Sequence, residues 1–381
     1  MKSLLFLFLI SSCMSTQPSG TGQNSRPQNE TQPVSATTVD QGAVATGVKP
    51  PLRGLICRGY DRIDVTGGSD DAMMKITNGV VVQLNWKDIQ TRENGPIVRN
   101  NKLDEAIQWS RNFTKKYGVE MPIKLRLYCG INSPDWLMNK NYFTAKGEKI
   151  PKFWEPEYIQ AFADVQAKLA AIYDDVPEVR EVVDGGTGII SAESFIRPFS
   201  NAPARMKAAQ MLLKEGYTKE KDANAIYQSF ESMRPWKKTL ISVAFSPYQY
   251  LDKSGRSYET ATGVFPFIDK FISIFGDRAV IGNNGLRTVE GRHGEDFEEG
   301  GERYALFNYF KKLHSNGVKV YFQTATTERG GGDLRATIED GIKYGAIYIE
   351  LPTRPREYAK LLDGNIESLK KKVLENYKAR N

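Results

Sequence analysis

Two kinds of side chain in this sequence could do chemistry. One is a carboxylate at the end of an apolar run. The other is the amide, hydroxyl or aromatic group that recurs at the ends of similar runs. Glu350 is the sharpest example of the first kind: it lies in Ile347-Tyr348-Ile349-Glu350-Leu351-Pro352, so its neighbours are largely apolar. A carboxylate ending a buried strand is costly unless something uses it or pairs it. Its role is therefore chemistry in a cleft, or a salt bridge with Arg126 or Arg58 as partner. Glu328, in Ala325-Thr326-Thr327-Glu328-Arg329-Gly330-Gly331-Gly332, is a weaker candidate, because a Gly-rich loop leaves its charges in water. The second kind comprises Asn85, Trp86, Asp184, Ser246, Tyr248, Asn283, Asn284, Gln323 and Thr324, with Asp135 and Trp136 just after another run. Amides and hydroxyls suit a ligand rich in hydrogen-bonding groups, and an aromatic face suits a ring that can stack on it. Each also has a plainer reading: Trp86 as core packing, Trp136 as a plug of a rim, Asn283-Asn284-Gly285 as a turn.

Composition narrows the chemistry. With 40% apolar and 25% charged residues among 381, the chain is neither disordered nor collagen-like. No apolar run reaches the roughly 18 residues of a membrane-spanning helix. Two histidines, His293 and His314, are too few for a multi-histidine metal site and give a Ser-His-Asp triad little to draw on. No metal and no cofactor is expected. Three cysteines do not make a disulfide scaffold. The acid-rich loop from Glu290 to Glu299 lacks the twelve-residue calcium-loop spacing. It reads as a solvated loop whose charges favour the start of the next helix. His314 reads as structural, and Lys370-Lys371-Lys372 as a solvated helix face. The net charge of +7 suits anionic surroundings such as headgroups or acidic polymers. No nucleic-acid motif is present, so no nucleic-acid partner is expected.

The elements that must position these groups alternate. Candidate strands are Gly54–Arg58, Gly79–Trp86, Ile123–Gly130, Val179–Asp184, Thr239–Ser246, Ala279–Asn283, Val318–Thr324 and Ala346–Glu350. Most are continuous apolar runs, as parallel strands covered on both faces require. Helical stripes lie between them: Leu103, Ala106, Ile107, Ser110, Phe113; Tyr158, Phe162, Val165, Leu169, Ile172; and Tyr304, Phe307, Phe310, Leu313. Asp333 can cap a further helix carrying Leu334, Ile338 and Ile342. Eight strand-then-helix units in about 330 residues predict an α/β fold, a (β/α)8 barrel. A doubly wound open sheet is the alternative, disfavoured because no Gly-x-Gly-x-x-Gly turn follows the first strand. Cys57 and Cys129 fall on strands one and three, about 9–10 Å apart, beyond disulfide reach, and are expected as buried thiols.

Lys2 followed by Leu4-Leu5-Phe6-Leu7-Phe8-Leu9-Ile10 has the pattern of a signal peptide. Ile10-Ser11-Ser12-Cys13 resembles the bacterial lipobox. That resemblance implies cleavage after residue 12, a lipid on Cys13 and attachment to the bacterial cell envelope. Met14 rather than Asp after the cysteine favours the outer membrane. Residues 13–48 are Ser-, Thr-, Gln-, Asn-, Pro- and Gly-rich and read as a flexible tether. The barrel domain is assigned to residues 49–381.

The succession Gly79-Val-Val-Val-Gln-Leu-Asn85-Trp86-Lys-Asp-Ile89-Gln90, Leu103-Asp104, Lys124-Leu-Arg126-Leu-Tyr-Cys-Gly130 and Ser133-Pro134-Asp135-Trp136-Leu137 resembles strands two and three of clan A glycoside hydrolases, particularly the β-galactosidase-like members. The detailed likeness runs from Gly79 to Leu137. It implies a glutamate acid/base after strand four and a glutamate nucleophile ending strand seven. The loop after strand four reads Asp184-Gly-Gly-Thr-Gly-Ile-Ile-Ser-Ala192-Glu193-Ser194-Phe195, making Glu193 the acid/base candidate. Two departures stand out. Ala192 replaces the Asn that usually precedes this Glu. Gln323 ends strand seven, and an amide cannot attack an anomeric carbon. Glu350 or Glu328 would then be the second carboxylate. Hydrolysis needs one protonated and one ionised carboxyl flanking the bond, about 5–5.5 Å apart for retention and about 6.5–9.5 Å for inversion. The expected partner is thus a carbohydrate polymer or oligosaccharide. Three functions follow: an envelope-anchored glycoside hydrolase using Glu193 and Glu350; a catalytically inactive carbohydrate-binding barrel; or an envelope scaffold.

Overall fold

The computed structural model describes residues 47–58, 76–145, 147–193, 209–287, 300–324, 333–352 and 366–377. The chain divides into two units, Met1–Gln41 and Gly42–Asn381, and the described residues all belong to the second. The signal peptide, Cys13 and nearly all of the tether therefore lie outside the described residues. So do Glu328, His293 and the acid-rich loop.

Twelve strands are described: β1 (Gly54–Arg58), β2 (Val80–Asn85), β3 (Ile123–Tyr128), β4 (Tyr142–Ala145), β5 (Glu148–Pro151), β6 (Val179–Val183), β7 (Leu240–Ala244), β8 (Tyr248–Leu251), β9 (Ser257–Thr260), β10 (Ala279–Leu286), β11 (Lys319–Thr324) and β12 (Ala346–Glu350). Eight of them close a barrel in the order β1-β2-β3-β6-β7-β10-β11-β12, with β12 paired back to β1. Every barrel pairing is parallel. This is the (β/α)8 barrel, and its eight strands are the eight apolar runs. Two antiparallel hairpins, β4–β5 and β8–β9, are additions after β3 and β7.

Local chemistry explains the helices that wrap it. Helix Lys102–Tyr117 opens with a capping box between Asn101 and Asp104 and ends at Gly118, whose φ of 69° is left-handed. It buries Leu103, Ala106, Ile107, Ser110 and Phe113, the anticipated stripe. Pro156 starts helix Pro156–Tyr173, where its missing N–H costs nothing. Asp333 caps Leu334–Lys343 through the amides of Arg335 and Ala336. Below the barrel, at the starts of β6 and β7, the Lys49 ammonium donates to the carbonyls of Val176 and Val179 at 2.7 and 2.6 Å and to Thr239 Oγ1 at 2.9 Å. That ties down the first described residues. Cys57 and Cys129 are both buried thiols, with β2 between their strands. Among the described residues no helix is long and apolar enough to cross a membrane.

Candidate functional site

The strand ends that should form a site in such a barrel are those at its C-terminal face. Beneath that face the barrel is filled by charge. β3 reads Ile123-Lys124-Leu125-Arg126-Leu127, so Lys124 and Arg126 share one face of the strand, and both are buried. Glu181 on β6, Tyr321 and Gln323 on β11, and Tyr348 and Glu350 on β12 meet them. Arg126 Nη2 donates to both Glu350 oxygens at 2.8 Å, while its Nη1 donates to Gln323 Oε1 at 3.0 Å. Lys124 Nζ lies 2.9 Å from Glu350 Oε1 and 3.0 Å from Glu181 Oε1, and donates to Tyr348 Oη at 2.7 Å. Tyr348 in turn donates to Glu181. The Tyr321 and Tyr348 rings stack 5.1 Å apart, with the Lys124 ammonium 3.4 Å from the Tyr321 centroid.

Lys124 and Arg126 thus pair directly with Glu181 and Glu350, and Glu350 has no exposed surface. Burial alone would raise its pKa. The charges of Arg126, Lys124 and Arg58 outweigh that and hold it at about 2. The Glu350 carboxylate is therefore held in its ionised form, and both of its oxygens are engaged. Of the two roles open to it, the structure displays the salt bridge, with Arg126 as the partner.

Gln323, Asn284 and Glu193 are each half-buried. Gln323 Nε2 donates to the Asn284 carbonyl at 3.3 Å, and Tyr321 Oη lies 3.5 Å from Asn284 Oδ1. Burial first, and then the carboxylates of Glu350, Glu181 and Glu193, push the Tyr321 hydroxyl well up, with Arg126 opposing. Tyr321 thus feels the charges of both Glu193 and Glu350.

Four residues expected at the substrate are committed elsewhere. Trp86 has no exposed surface. Its indole N–H donates to Gln90 Oε1 at 2.8 Å, and its ring packs edge-on against Trp136, Tyr158 and Phe162. Asp184 is buried, its Oδ1 accepting from Gly186 N at 3.0 Å and from Ser229. Asn283 is buried and holds its own turn, Nδ2 donating to the Phe245 carbonyl and Oδ1 accepting from Gly285 N, both at 2.7 Å. Thr324 is buried and donates to the Glu350 carbonyl at 2.9 Å. The physical reason is common to all four: each is buried and makes its hydrogen bonds within the protein, although Asp184 Oδ2 has no partner among the described residues. Asn85 donates to Asp88 at 2.8 Å and is half-buried. Half-buried Trp136 donates to the Gln90 carbonyl at 3.0 Å. These two sit on the β2–β3 side, and Gln323 and Asn284 on the β10–β11 side.

Sequence reasoning missed Lys124, Glu181, Tyr321 and Tyr348. The signal was present: polar residues recur two apart at 124 and 126, 321 and 323, and 348 and 350, the spacing of one strand face.

No family model and no curated protein matches the chain. Among solved structures, the cold-adapted β-galactosidase from Rahnella sp. R3 superposes with a TM-score of 0.51 at 13% identity, covering 85% of this chain and 57% of that one. The β-galactosidase from the psychrophilic Marinomonas ef1 gives 0.46 at 12% identity, over 78% of this chain and 53% of that one. The chain spans little more than half the length of either enzyme. What the Rahnella enzyme shares with it is the fold, a (β/α)8 barrel.

Proposed function

We propose that this barrel binds carbohydrate at its C-terminal mouth without hydrolysing it through Glu193 and Glu350. One observation carries the reading: Glu350 is fully buried and held by Arg126 and Lys124. A nucleophile must come within about 3–3.5 Å of the anomeric carbon, and a carboxylate inside the barrel floor does not offer that approach. Gln323 fits the same reading, since an amide binds sugar hydroxyls but does not attack. Gln323, Asn284 and Glu193 supply donors and acceptors at the mouth, and the shared fold of the Rahnella β-galactosidase supports a glycan as the ligand.

A second reading is favoured by Tyr321, which feels both glutamates. In it Glu193 acts as acid/base and Glu350, ionised by Arg126, as nucleophile or base of a glycoside hydrolase. A glycan array followed by product analysis separates the two. Binding with no new reducing ends supports the binding barrel. Reducing ends that vanish in folded E350Q support the hydrolase. No bound glycan defeats both readings.

The proposal extends to place. The lipobox-like Ile10-Ser11-Ser12-Cys13 supports a lipid on Cys13, a tether through residue 48 and an envelope location, with Met14 favouring the outer membrane. Metabolic labelling with a palmitate analogue, lost in C13S, tests it. Labelling that persists in C13S removes this part of the proposal.

A further inference from the structure

Glu193 sits nine residues beyond Asp184, on a loop that touches three separate elements. Asp184 follows β6 and keeps its strand pairing, its amide donating to the Ser242 carbonyl at 2.8 Å. Its carboxylate then turns back on the loop. Oδ1 accepts from Gly186 N at 3.0 Å and from the hydroxyl of Ser229 on helix Lys219–Ser232. The hydroxyl of Tyr158, on helix Pro156–Tyr173, donates to the Gly186 carbonyl. Gly188 N closes a turn on the Gly185 carbonyl at 2.9 Å, and Ile131 N, after β3, donates to the Ile189 carbonyl at 3.0 Å. The approach is close throughout. A Cβ on Gly186 would stand 2.6 Å from the Phe162 ring, and one on Gly130 would stand 2.6 Å from the Gly188 carbonyl oxygen.

The geometry points to Asp184 as the positioning residue of this loop: working with Ser229, it sets where Glu193 stands at the mouth. Two features argue for more than packing. Asp184 Oδ2 is buried with no hydrogen-bond partner among the described residues, so the carboxylate is held at a cost that an apolar side chain would not incur. The other oxygen, Oδ1, accepts from both the Gly186 amide and a helix hydroxyl, so one atom ties the loop to that helix. The bearing of this on function rests on the proposal that Glu193 meets the ligand; the loop geometry itself does not.

Hydrogen exchange of the full chain, followed by mass spectrometry, tests it on D184A, D184N and S229A. In D184A the peptide spanning residues 185–193 should exchange about tenfold faster or more, the scale set by loss of a buried acceptor. Peptides from β2 and β12 should stay protected. D184N keeps an oxygen that can accept from Gly186 and Ser229, and should restore slow exchange. Unchanged exchange at 185–193 in D184A, or D184N as fast as D184A, overturns the assignment. If D184A does not fold, S229A decides: faster exchange confined to 185–193 supports the clamp, and unchanged exchange overturns it. No sugar is involved, so a failure of glycan binding leaves this result standing on its own.

Discussion

Replacing Glu350 with Gln tests whether the buried carboxylate holds the barrel together. The wild-type network carries Lys124 and Arg126 against Glu181 and Glu350, and none of the four side chains is more than 3% exposed. E350Q keeps the shape and removes one negative charge, leaving the buried Lys124 and Arg126 with Glu181 as their remaining carboxylate. Breaking a buried pair from one side costs about 3–5 kcal/mol. The titration gives a similar scale. The Glu350 pKa falls from 4.5 to about 2 on folding, and a shift of that size is worth about 3 kcal/mol. Because the folded value is the lower one, this stability is present above about pH 4.5 and is lost as pH falls through 2. Urea denaturation at pH 7 should therefore show E350Q less stable by about 3–5 kcal/mol, and the difference should shrink towards pH 2. If E350Q matched the wild type within about 0.5 kcal/mol, the ordinary range of surface changes, the network would not exist as described. A gain in stability would be worse still for the account, because it would mark Glu350 as a strained functional group kept at the expense of the fold.

Other outcomes follow from particular contacts. Asp222 is buried beneath the Tyr248 and Tyr217 hydroxyls, and burial pushes its carboxyl up to about 7 against their pull. The folded value is the higher one, so the associated stability is full below about pH 3.8 and lost as pH rises through 7. D222N should raise the thermal midpoint at pH 8 and leave it nearly unchanged at pH 4; equal shifts at both would refute the burial argument. G130A forces a Cβ into a left-handed residue (φ 57°) packed against the Gly188 carbonyl. It should cost about 2 kcal/mol or more in urea denaturation, and a neutral result would mean the loop does not sit on this turn. Cys57 and Cys129 should resist an aromatic disulfide reagent in the native protein and react when unfolded, since both are buried and burial pushes the Cys129 thiol up. Fast reaction of either in the folded state would contradict that packing.

The strand order was legible because parallel barrel strands covered on both faces read as unbroken apolar runs, and β1 and β12 match the sequence-predicted spans residue for residue. The hairpins were not legible, because β4, β5, β8 and β9 are four residues each and pair locally outside that pattern. The site was half legible. Residue type singled out Glu350, Gln323, Asn284 and Glu193 as polar groups at strand ends or in the loop after a strand. It did not say which polar groups the barrel consumes for itself. Trp86 shows why: an indole ending a strand can face a sugar or the core, and the choice here turns on Gln90, four residues on, which accepts its N–H. Asp184 shows the same thing, since its partner Ser229 lies 45 residues away on another element.

In the proposed function the mouth of this barrel holds a saccharide while Glu350 stays in the floor beneath. Titration calorimetry of the intact protein, with the best glycan from an array, tests it in one experiment. The heat should saturate stoichiometrically and then stop, with affinity weakened at least about tenfold in Q323A, the scale of one lost polar contact. A slow heat that persists until the glycan is consumed, and is abolished in E350Q, would contradict it.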